Sequence, residues 1–392
     1  MTSSMLGIAA RTVACDQPAF EAAIAGASFV HLSEHVAIVG VGSACEVTVE
    51  SAEAVLRSVE WDGLGEGEPA HRGPLVVGAL GYSDTDAARL WIPAQVFGRD
   101  VSGFWRTDIG DVAAAVPDPS VRSGRSSAED VPRLVARHSL PPESKFVDSV
   151  SQAVSSIERN ELEKVVLARR EVLEFAAPIN RGGVLANLRV QQPGCVVFAV
   201  DEVVGASPEL LIRKHGERFE SAPIAGTAGI EHAASLAASA KDLREHEFVV
   251  AAMRDAFDGL EATVDSVGEP VVEALADVAH LITRISGRCK ASAFELARGL
   301  HPTPAVAGTP TAGALTSQRA LEGFDRGIYA GPVGWVDVSG DGEWMLALRS
   351  AQIEGATATL FTGAGIVAGS DPQAEWNETE SKLAPMRRAL GV

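Results

Sequence analysis

The C-terminal segment of the chain brings two acids and a base together at helical spacing. Glu375, Glu378 and Lys382 stand at positions i, i+3 and i+7, so a helix would carry them on one face. The run Ser370–Pro372 is typical of a helix start, because its aspartate caps free N–H groups and its proline suits the first helical position. The glycines within 363–365 let a ligand approach the backbone. These features predict an anion and metal site, although a solvated helix face with ordinary ion pairs shows the same spacing.

Another acid, Glu245, lies on the apolar stripe of a predicted helix over 233–262. Its neighbours on that stripe are Phe248, Val249, Ala252 and Ala256. A carboxylate on a core-facing stripe must be paired, protonated or bound to a metal. The residues alone leave open both metal ligation and a buried ion pair with an arginine elsewhere.

Two further candidates stand at the starts of predicted strands. The face of Lys164 continues through Val166 and Ala168, and a lysine desolvated on such a face favours its neutral form and suits a general base. A lysine at a strand end is, however, more often solvated. Glu209 follows Pro208, and burial there would make it a proton donor, whereas the same residue at an open edge is an ordinary carboxylate.

The elements that must position these residues are helices mixed with antiparallel-looking strands. Residues 1–105 alternate short β-like runs with turns, and apolar spacing predicts a helix over 143–160. A hairpin is predicted from Leu210–Lys214 and Arg218–Ser221, and a long exposed loop from the polar residues 116–132. The other predicted strands are at 36–40, 74–80, 163–175, 195–200, 328–338, 344–353 and 357–361. Because no regular βαβ alternation appears, the pattern favours an α+β fold.

The composition excludes several classes of partner. A net charge of −19 argues against nucleic acid and against an anionic membrane surface, because both need a basic face. The four cysteines are scattered with no Cys-x-x-Cys pair, so neither a zinc site nor a disulfide framework is expected. No apolar run approaches the roughly 18 residues of a membrane helix. The N-terminus lacks the features of a secretory signal, so we expect a cytoplasmic protein.

Nine segments between residues 145 and 390 follow one another in the order of a known set of motifs. They are KVVLARR (164–170), GASPELL (205–211), IAGTA (224–228), KDLREHE (241–247), HLITRISG (280–287), HPTPAVAG (301–308), YAGPVGW (329–335), LALRSA (346–351) and GAGIVAGSDPQAEWNETESK (363–382). The chain therefore resembles the chorismate-utilising enzymes, and among these most closely the isochorismate synthases. The first 110 residues resemble the family only loosely, through VVGALGY (76–82).

The resemblance implies one chorismate-binding domain over 1–392, with two large stacked antiparallel sheets flanked by helices. Within this α+β fold, residues 1–115 form a divergent N-terminal part of the sheets, 116–132 an exposed loop, and 143–390 the motif-bearing catalytic part.

The resemblance also implies a role for each candidate residue. Lys164 matches the general base of the family and Glu209 its general acid. Glu245 and Glu378 match ligands of Mg²⁺, the implied cofactor, and Glu375 supports the metal directly or through water. The groups that match the substrate-binding positions are Gly226, Thr227, His280, Ala305, Tyr329, Arg349, Gly363, Gly365 and Lys382.

Two positions distinguish the activities within the family. Members that use ammonia generally lack the lysine found here as Lys164, and lyase members typically have threonine where this chain has Ala305. The implied function is isomerisation of chorismate to isochorismate, by water addition at C2 and loss of the C4 hydroxyl. The alternatives are a salicylate synthase, which then eliminates pyruvate, and a catalytically silent binding protein. We expect a monomer whose product feeds menaquinone, a siderophore or salicylate.

Overall fold

Helices are distributed along the whole described chain. The computed structural model describes residues 8–63, 65, 69–83, 86–110, 131–230, 233–275 and 278–392. The helices are Gln17–Gly26 (α1), Ala52–Arg57 (α2), Glu143–Glu158 (α3), Arg181–Gln191 (α4), Ala233–Leu236 (α5), Ala240–Gly259 (α6), Ala293–Leu300 (α7), Thr311–Glu322 (α8) and Pro372–Ala389 (α9), with a 3₁₀ turn at Ala70–Arg72. Among these described helices, none is long and apolar enough to cross a membrane. Residues 116–130 of the predicted loop lie outside the described residues.

The largest sheet contains strands from both ends of the chain. Its spatial order is β10 (Leu134–Leu140), β11 (Lys164–Phe175), β25 (Thr357–Val367), β24 (Ser350–Glu354), β13 (Val203–Ser207), β12 (Val196–Val200), β2 (Phe29–Leu32), β3 (Ala37–Val41), β8 (Gln95–Asp100), β9 (Gly103–Ile109), β1 (Ala9–Ala14) and β5 (Glu60–Asp62), with β21 (Gly308–Thr309) paired to β11. Neighbouring strands run antiparallel, apart from the parallel pair β1–β5.

A second sheet is antiparallel and likewise combines strands from the N-terminal and C-terminal parts of the chain. Its order is β17 (Thr263–Val267), β20 (Ile285–Arg288), β15 (Arg218–Ala222), β14 (Leu210–His215), β23 (Gly342–Leu346), β22 (Pro332–Asp337), β6 (Leu75–Ala79), β7 (Arg89–Ile92) and β4 (Cys45–Val47). A small third sheet has the order β16 (Ile224–Gly229), β19 (Val278–Ile282) and β18 (Val271–Ala274).

The two large sheets share the main hydrophobic core. Phe29 and Phe198 of the larger sheet belong to one buried cluster with Val333 and Trp344 of the second sheet. The outer face of the larger sheet is covered by α1, α4 and α9, which bury a separate cluster. Two stacked antiparallel sheets flanked by helices confirm the predicted α+β fold, and apolar burial between the layers is the main force that holds them together.

Several local predictions are confirmed because their signals lie within a few residues. The side chain of Asp371 accepts a hydrogen bond from the Ala374 N–H at 2.8 Å, and Pro372 opens α9, as the helix-start pattern predicts. The predicted helix over 143–160 is α3, which buries Phe146, Val150 and Ile157. The predicted hairpin is β14 and β15.

Other predictions are corrected by the structure. The single helix over 233–262 is wrong, since Ser239 has extended backbone angles and its side chain caps a new helix, α6. The strand over 344–353 is also wrong: it is β23 in one sheet and β24 in the other, separated by Arg349 with φ +51°. The strand over 328–338 begins only at Pro332, the strand over 357–361 continues to Val367, and the pattern for 1–105 omits α1 and α2.

A buried charge network fixes α9 to the larger sheet. Arg169 of β11 is fully buried, and its guanidinium lies 3.8 Å from the centre of the Trp376 ring. It donates hydrogen bonds to Thr379 and Glu380, and Arg387 pairs with Glu380 at 2.9 Å. Because β11 begins at Lys164, this network holds α9 in register with the strand that carries the candidate base.

Candidate active site

A cleft with about 880 Å³ of empty volume, including its opening to solvent, lies where the three sheets meet. Its walls are β11 and β25, the small sheet, α6, α9 and the two loops, at 208–209 and 348–349, that connect the large sheets. The predicted residues that line it are Glu209, Gly226, Thr227, Glu245, His280, Ala305, Tyr329, Arg349, Gly363, Gly365, Glu378 and Lys382. Residues as far apart in the chain as Val166 and Lys382 are thus collected into one concave site.

Lys164 and Glu245 form an ion pair beside this cleft. The Lys164 Nζ lies 2.8 Å from Glu245 Oε1, and the lysine side chain is completely buried while the carboxylate is 12% exposed. The neighbouring strand leaves room for the pair through Gly365, where a Cβ atom would come within 2.5 Å of Glu245 Oε1. Glu245 therefore does form an ion pair, but its partner is Lys164 and not the arginine that the sequence analysis considered.

Glu378 and Lys382 form a second ion pair on α9, one helical turn apart. The Lys382 Nζ lies 2.6 Å from Glu378 Oε1 and donates a hydrogen bond to the carbonyl oxygen of Gly363 at 3.0 Å. The third residue of the predicted face, Glu375, is buried and does not belong to the cleft lining. The helical spacing thus places Glu378 and Lys382 at the site, and it places Glu375 behind them.

Glu209 is a buried carboxyl group that forms no ion pair within the described part of the chain. Its residue is 4% exposed, and its Oε1 accepts one long hydrogen bond, 3.5 Å, from the Ile224 N–H. Burial raises the pKa of Glu209 to about 8, against the smaller opposing effects of this hydrogen bond and of the charges on Lys164, Lys382 and Arg349. Glu209 is therefore protonated at neutral pH and can donate a proton into the cleft.

The backbone at Glu209 is fixed by the preceding serine. The Ser207 hydroxyl donates to the Leu346 carbonyl oxygen at 2.6 Å and accepts from the Glu209 N–H at 3.3 Å. The Leu346 N–H in turn donates to the Glu209 carbonyl oxygen at 3.2 Å. These bonds join β13, β14 and β23 at the point where the chain passes between the large sheets, so the acid is held on a rigid element.

His280, Arg349 and Thr227 form a polar chain along another wall. Arg349 Nη2 donates to His280 Nε2 at 3.3 Å, so the ring proton is on Nδ1, which lies 2.9 Å from Thr227 Oγ1. Burial lowers the pKa of His280 well below its usual range, and the cations Arg349 and Lys382 lower it further. The imidazole is therefore neutral, and it orients the Arg349 guanidinium.

The wall that contains Ala305 is supported by residues that the sequence analysis did not identify. Tyr82 OH lies 2.7 Å from Gln318 Oε1 and 3.0 Å from the Val306 carbonyl oxygen, and Gln318 Nε2 donates to the Val166 carbonyl oxygen at 2.8 Å. Arg326, which lines the cleft, donates to the same two carbonyl oxygens at 2.9 Å each. Partners more than 150 positions apart leave no local signal in the sequence.

Asp242 is a further cleft residue that the sequence analysis missed. It stands three positions before Glu245, so the helical spacing that identified Glu245 also places Asp242 on a neighbouring part of α6. An acid at i−3 from Glu245 is the sequence signal for this residue.

The cleft combines two paired carboxylates with a group of cations. No cluster of three or more His, Cys, Asp or Glu side chains suited to a metal is present among the described residues. Glu245 and Glu378 nevertheless both reach the cleft, and Mg²⁺ typically takes one or two protein carboxylates and completes its shell with water and substrate oxygens. The donor set therefore fits Mg²⁺ held by Glu245 and Glu378, with Glu375 placed behind Glu378.

The fold and this site define a class of protein: the chain belongs to the chorismate-binding enzymes. The model of the family described as "Chorismate binding enzyme" matches residues 116–391. The chain is 33% identical over 338 residues to the isochorismate synthase EntC of Escherichia coli (strain K12), with 82% of each chain covered. It is also 33% identical over 341 residues to the isochorismate synthase DhbC of Bacillus subtilis (strain 168), with 81% of each covered.

A solved structure shows the same architecture. The menaquinone-specific isochorismate synthase MenF of Escherichia coli superposes with a TM-score of 0.83 at 26% identity, covering 98% of this chain and 95% of that one. The likeness therefore includes the N-terminal part, for which the sequence motifs gave only a loose resemblance.

Proposed function

We propose that the protein is an isochorismate synthase, which adds water at ring carbon C2 of chorismate and removes the C4 hydroxyl. The observation that carries the proposal is the combination of a buried lysine and a protonated, buried carboxyl group at one cleft. Relatives of similar length named isochorismate synthases support it.

The two groups address the two difficult parts of this reaction. Water is a poor nucleophile and hydroxide a poor leaving group, so a base and an acid are needed at different ring positions. Lys164, when its amine is neutral, accepts a proton from the attacking water, and Glu209 donates a proton to the C4 oxygen, which leaves as water. One water enters and one leaves, so the product is an isomer of the substrate.

The remaining cleft residues suit a substrate with two carboxylates. Arg349 and Lys382 place positive charge in the cleft of a chain whose overall charge is −19, and these two groups can bind the carboxylates of the substrate. Gly226 has φ +81°, and a Cβ atom there would lie 3.1 Å from the Asp242 Cβ, so glycine keeps this wall open. Tyr329 stacks on Phe361 with 5.3 Å between ring centres and provides a flat apolar surface.

Glu245 and Glu378 would hold Mg²⁺ in this proposal. When bound, the metal supplies positive charge that clamps the ring carboxylate and screens charge near the reacting carbons. The protein's part is to present two anionic ligands on α6 and α9, two helices that are attached to different sheets.

Release of isochorismate, without elimination of pyruvate, is favoured over the salicylate synthase alternative. Ala305 lines the cleft with a methyl group where lyase members typically have a threonine hydroxyl. The named relatives above are isochorismate synthases, and none is named as a salicylate synthase.

The test is product analysis with the purified protein alone. Incubation with chorismate and Mg²⁺, followed by chromatography and a pyruvate assay, should give isochorismate with little pyruvate. The matched control is Glu209→Gln, which keeps the size of the side chain and removes the acid. Abundant pyruvate and salicylate would establish the lyase alternative, and chorismate binding without turnover would establish a silent binding protein.

A further inference from the structure

Both carboxylates assigned to the metal are already occupied by ammonium groups. Lys164 Nζ lies 2.8 Å from Glu245 Oε1, and Lys382 Nζ lies 2.6 Å from Glu378 Oε1. A divalent cation bound by either carboxylate would lie within a few ångströms of an ammonium group, and the two positive charges would repel each other. Both ion pairs therefore oppose metal binding.

The Lys164–Glu245 pair is built into the fold. Lys164 is the first residue of β11, and its fully buried ammonium has no hydrogen bond of regular geometry within the described chain, so Glu245 is its charge partner by proximity. Gly365 keeps the space for the pair, because a Cβ atom would also come within 3.1 Å of Lys164 Cε. A buried lysine cannot move into water when its partner is taken, so it stays near the metal.

The Lys382–Glu378 pair is less confined. Lys382 is 18% exposed and Glu378 29% exposed, and the ammonium has a second acceptor in the Gly363 carbonyl oxygen. When a metal takes Glu378, Lys382 can therefore keep one hydrogen bond and move its charge towards solvent or towards a substrate carboxylate. The two lysines thus differ in how much they oppose the metal.

We propose that Lys164 and Lys382 are internal counter-ions of the metal site, which compete with Mg²⁺ for Glu245 and Glu378 and so weaken its binding. Lys164 has the larger effect because its charge is trapped. This inference rests on the proposed metal ligands and gives the two lysines a second role. The counter-ions neutralise the two carboxylates in the metal-free protein, and they keep the affinity of the site for a divalent cation low in the absence of substrate.

The experiment is direct calorimetric titration of Mg²⁺ into metal-free protein without substrate. Lys164→Met should bind Mg²⁺ at least about tenfold more tightly than the wild type, since one trapped positive charge is removed. Lys382→Met should bind it more tightly by a smaller factor, about two- to fivefold, and Lys382→Arg should keep the wild-type affinity because it keeps the charge. The readout is affinity, so loss of turnover in these variants does not affect it.

Two lysines elsewhere serve as matched controls. Lys214 is also buried and paired with a carboxylate, Asp341, at 3.5 Å, but it lies outside the cleft. Lys145 is an exposed lysine on α3. Lys214→Met and Lys145→Met change the net charge equally and should leave Mg²⁺ affinity unchanged.

Thermal unfolding with and without Mg²⁺ gives a second measure. Without the metal, Lys164→Met should unfold at a lower temperature than the wild type because Glu245 loses its ion pair with Lys164, and Mg²⁺ should raise its midpoint more than that of the wild type. If Lys164→Met does not fold because residue 164 is buried, Lys382→Met still tests the counter-ion inference, because Lys382 is partly exposed.

The possible failures are distinguishable. Unchanged or weaker Mg²⁺ binding in both Lys164→Met and Lys382→Met would overturn the counter-ion inference. Unchanged Mg²⁺ binding in Glu245→Gln and Glu378→Gln would instead overturn the ligand assignment in the proposed function. Weaker binding in the two Gln variants with tighter binding in the two Met variants is the result expected if both are correct.

Discussion

Glu209 and Glu245 lie in the same cleft, yet their surroundings differ in kind. Glu209 accepts one long hydrogen bond from a backbone N–H, and burial raises its pKa to about 8. Glu245 has the ammonium of Lys164 at 2.8 Å. The side chains are chemically identical, so the difference comes from what the fold places next to each. One wall of the cleft keeps a carboxyl group neutral and able to donate a proton, and the other keeps a carboxylate charged and able to bind a cation.

The strongest test of this comparison removes the acid and the base separately. Lys164→Ala and Glu209→Gln should each lower kcat by about two to four orders of magnitude, the usual contribution of a general base or acid. Chorismate should still bind, because Arg349 and the glycine backbone are unchanged. Fluorescence quenching measures binding, and chromatography measures turnover. Near-normal turnover in either variant would show that another group performs its step.

The second test uses the pH dependence of stability, where Glu209 differs from the buried carboxylate Glu343. The pKa of Glu209 is raised from its ordinary value of 4.5 to about 8 in the folded protein. The contribution of this carboxyl group to stability is therefore fully present below pH 4.5 and is lost as the pH rises through 8. Glu209→Gln should therefore stabilise the protein by about 1–3 kcal/mol at pH 7, and this gain should disappear below pH 4.5.

Glu343 is the matched control with the opposite sign. Burial alone would raise its pKa, but hydrogen bonds and charges from His31 and Arg213 lower it to about 2. The contribution of Glu343 to stability is present above the ordinary pKa of 4.5 and is lost as the pH falls towards 2. Glu343→Gln should therefore destabilise the protein at pH 7. Urea unfolding from pH 4 to 9 measures both variants. A destabilised Glu209→Gln at pH 7 would contradict the difference between the two environments.

The same acid should be visible in the pH dependence of the reaction. Because only the protonated form of Glu209 can donate, kcat/KM should fall as pH rises through about 8, the pKa in the free protein. A profile that stays level to pH 10 would exclude Glu209 as the proton donor. The pH profile of the remaining activity of Glu209→Gln should not show this fall above about pH 8.

The smallest expected effect concerns Ala305, in the wall of the cleft. Ala305→Thr adds a hydroxyl that can bias the enolpyruvyl arm by about 1–2 kcal/mol, a typical value for one hydrogen bond, so the ratio of pyruvate to isochorismate should rise. The ratio is measured by chromatography at matched total turnover, with Ala305→Val as a control for size. An unchanged ratio in Ala305→Thr would remove this position as a determinant of product choice.

The sequence by itself determined the features that depend on neighbours in the chain. The start of α9, the hairpin of β14 and β15, the inward face of Glu245 and the apolar face after Lys164 all follow from spacing within one or two turns. The set of ordered motifs also identified the family, and twelve of the fourteen site residues predicted from it line the cleft. Spacing alone did not show that Glu375 lies outside the cleft lining, because one helical face is wider than the part of it that reaches the cleft.

Only the tertiary structure decided how these residues meet. The chain passes from one large sheet to the other at Arg349, and Ser239 divides one apparent helix in two, where extended backbone angles replace helical ones. Tyr82 supports the wall at Val306 across 224 positions, and Lys164 takes Glu245 as its partner. Such pairings depend on the order of the strands in the sheets and on the depth of burial. These two features set the distance between the paired groups and the dielectric constant around them. A linear pattern of residue types contains neither quantity.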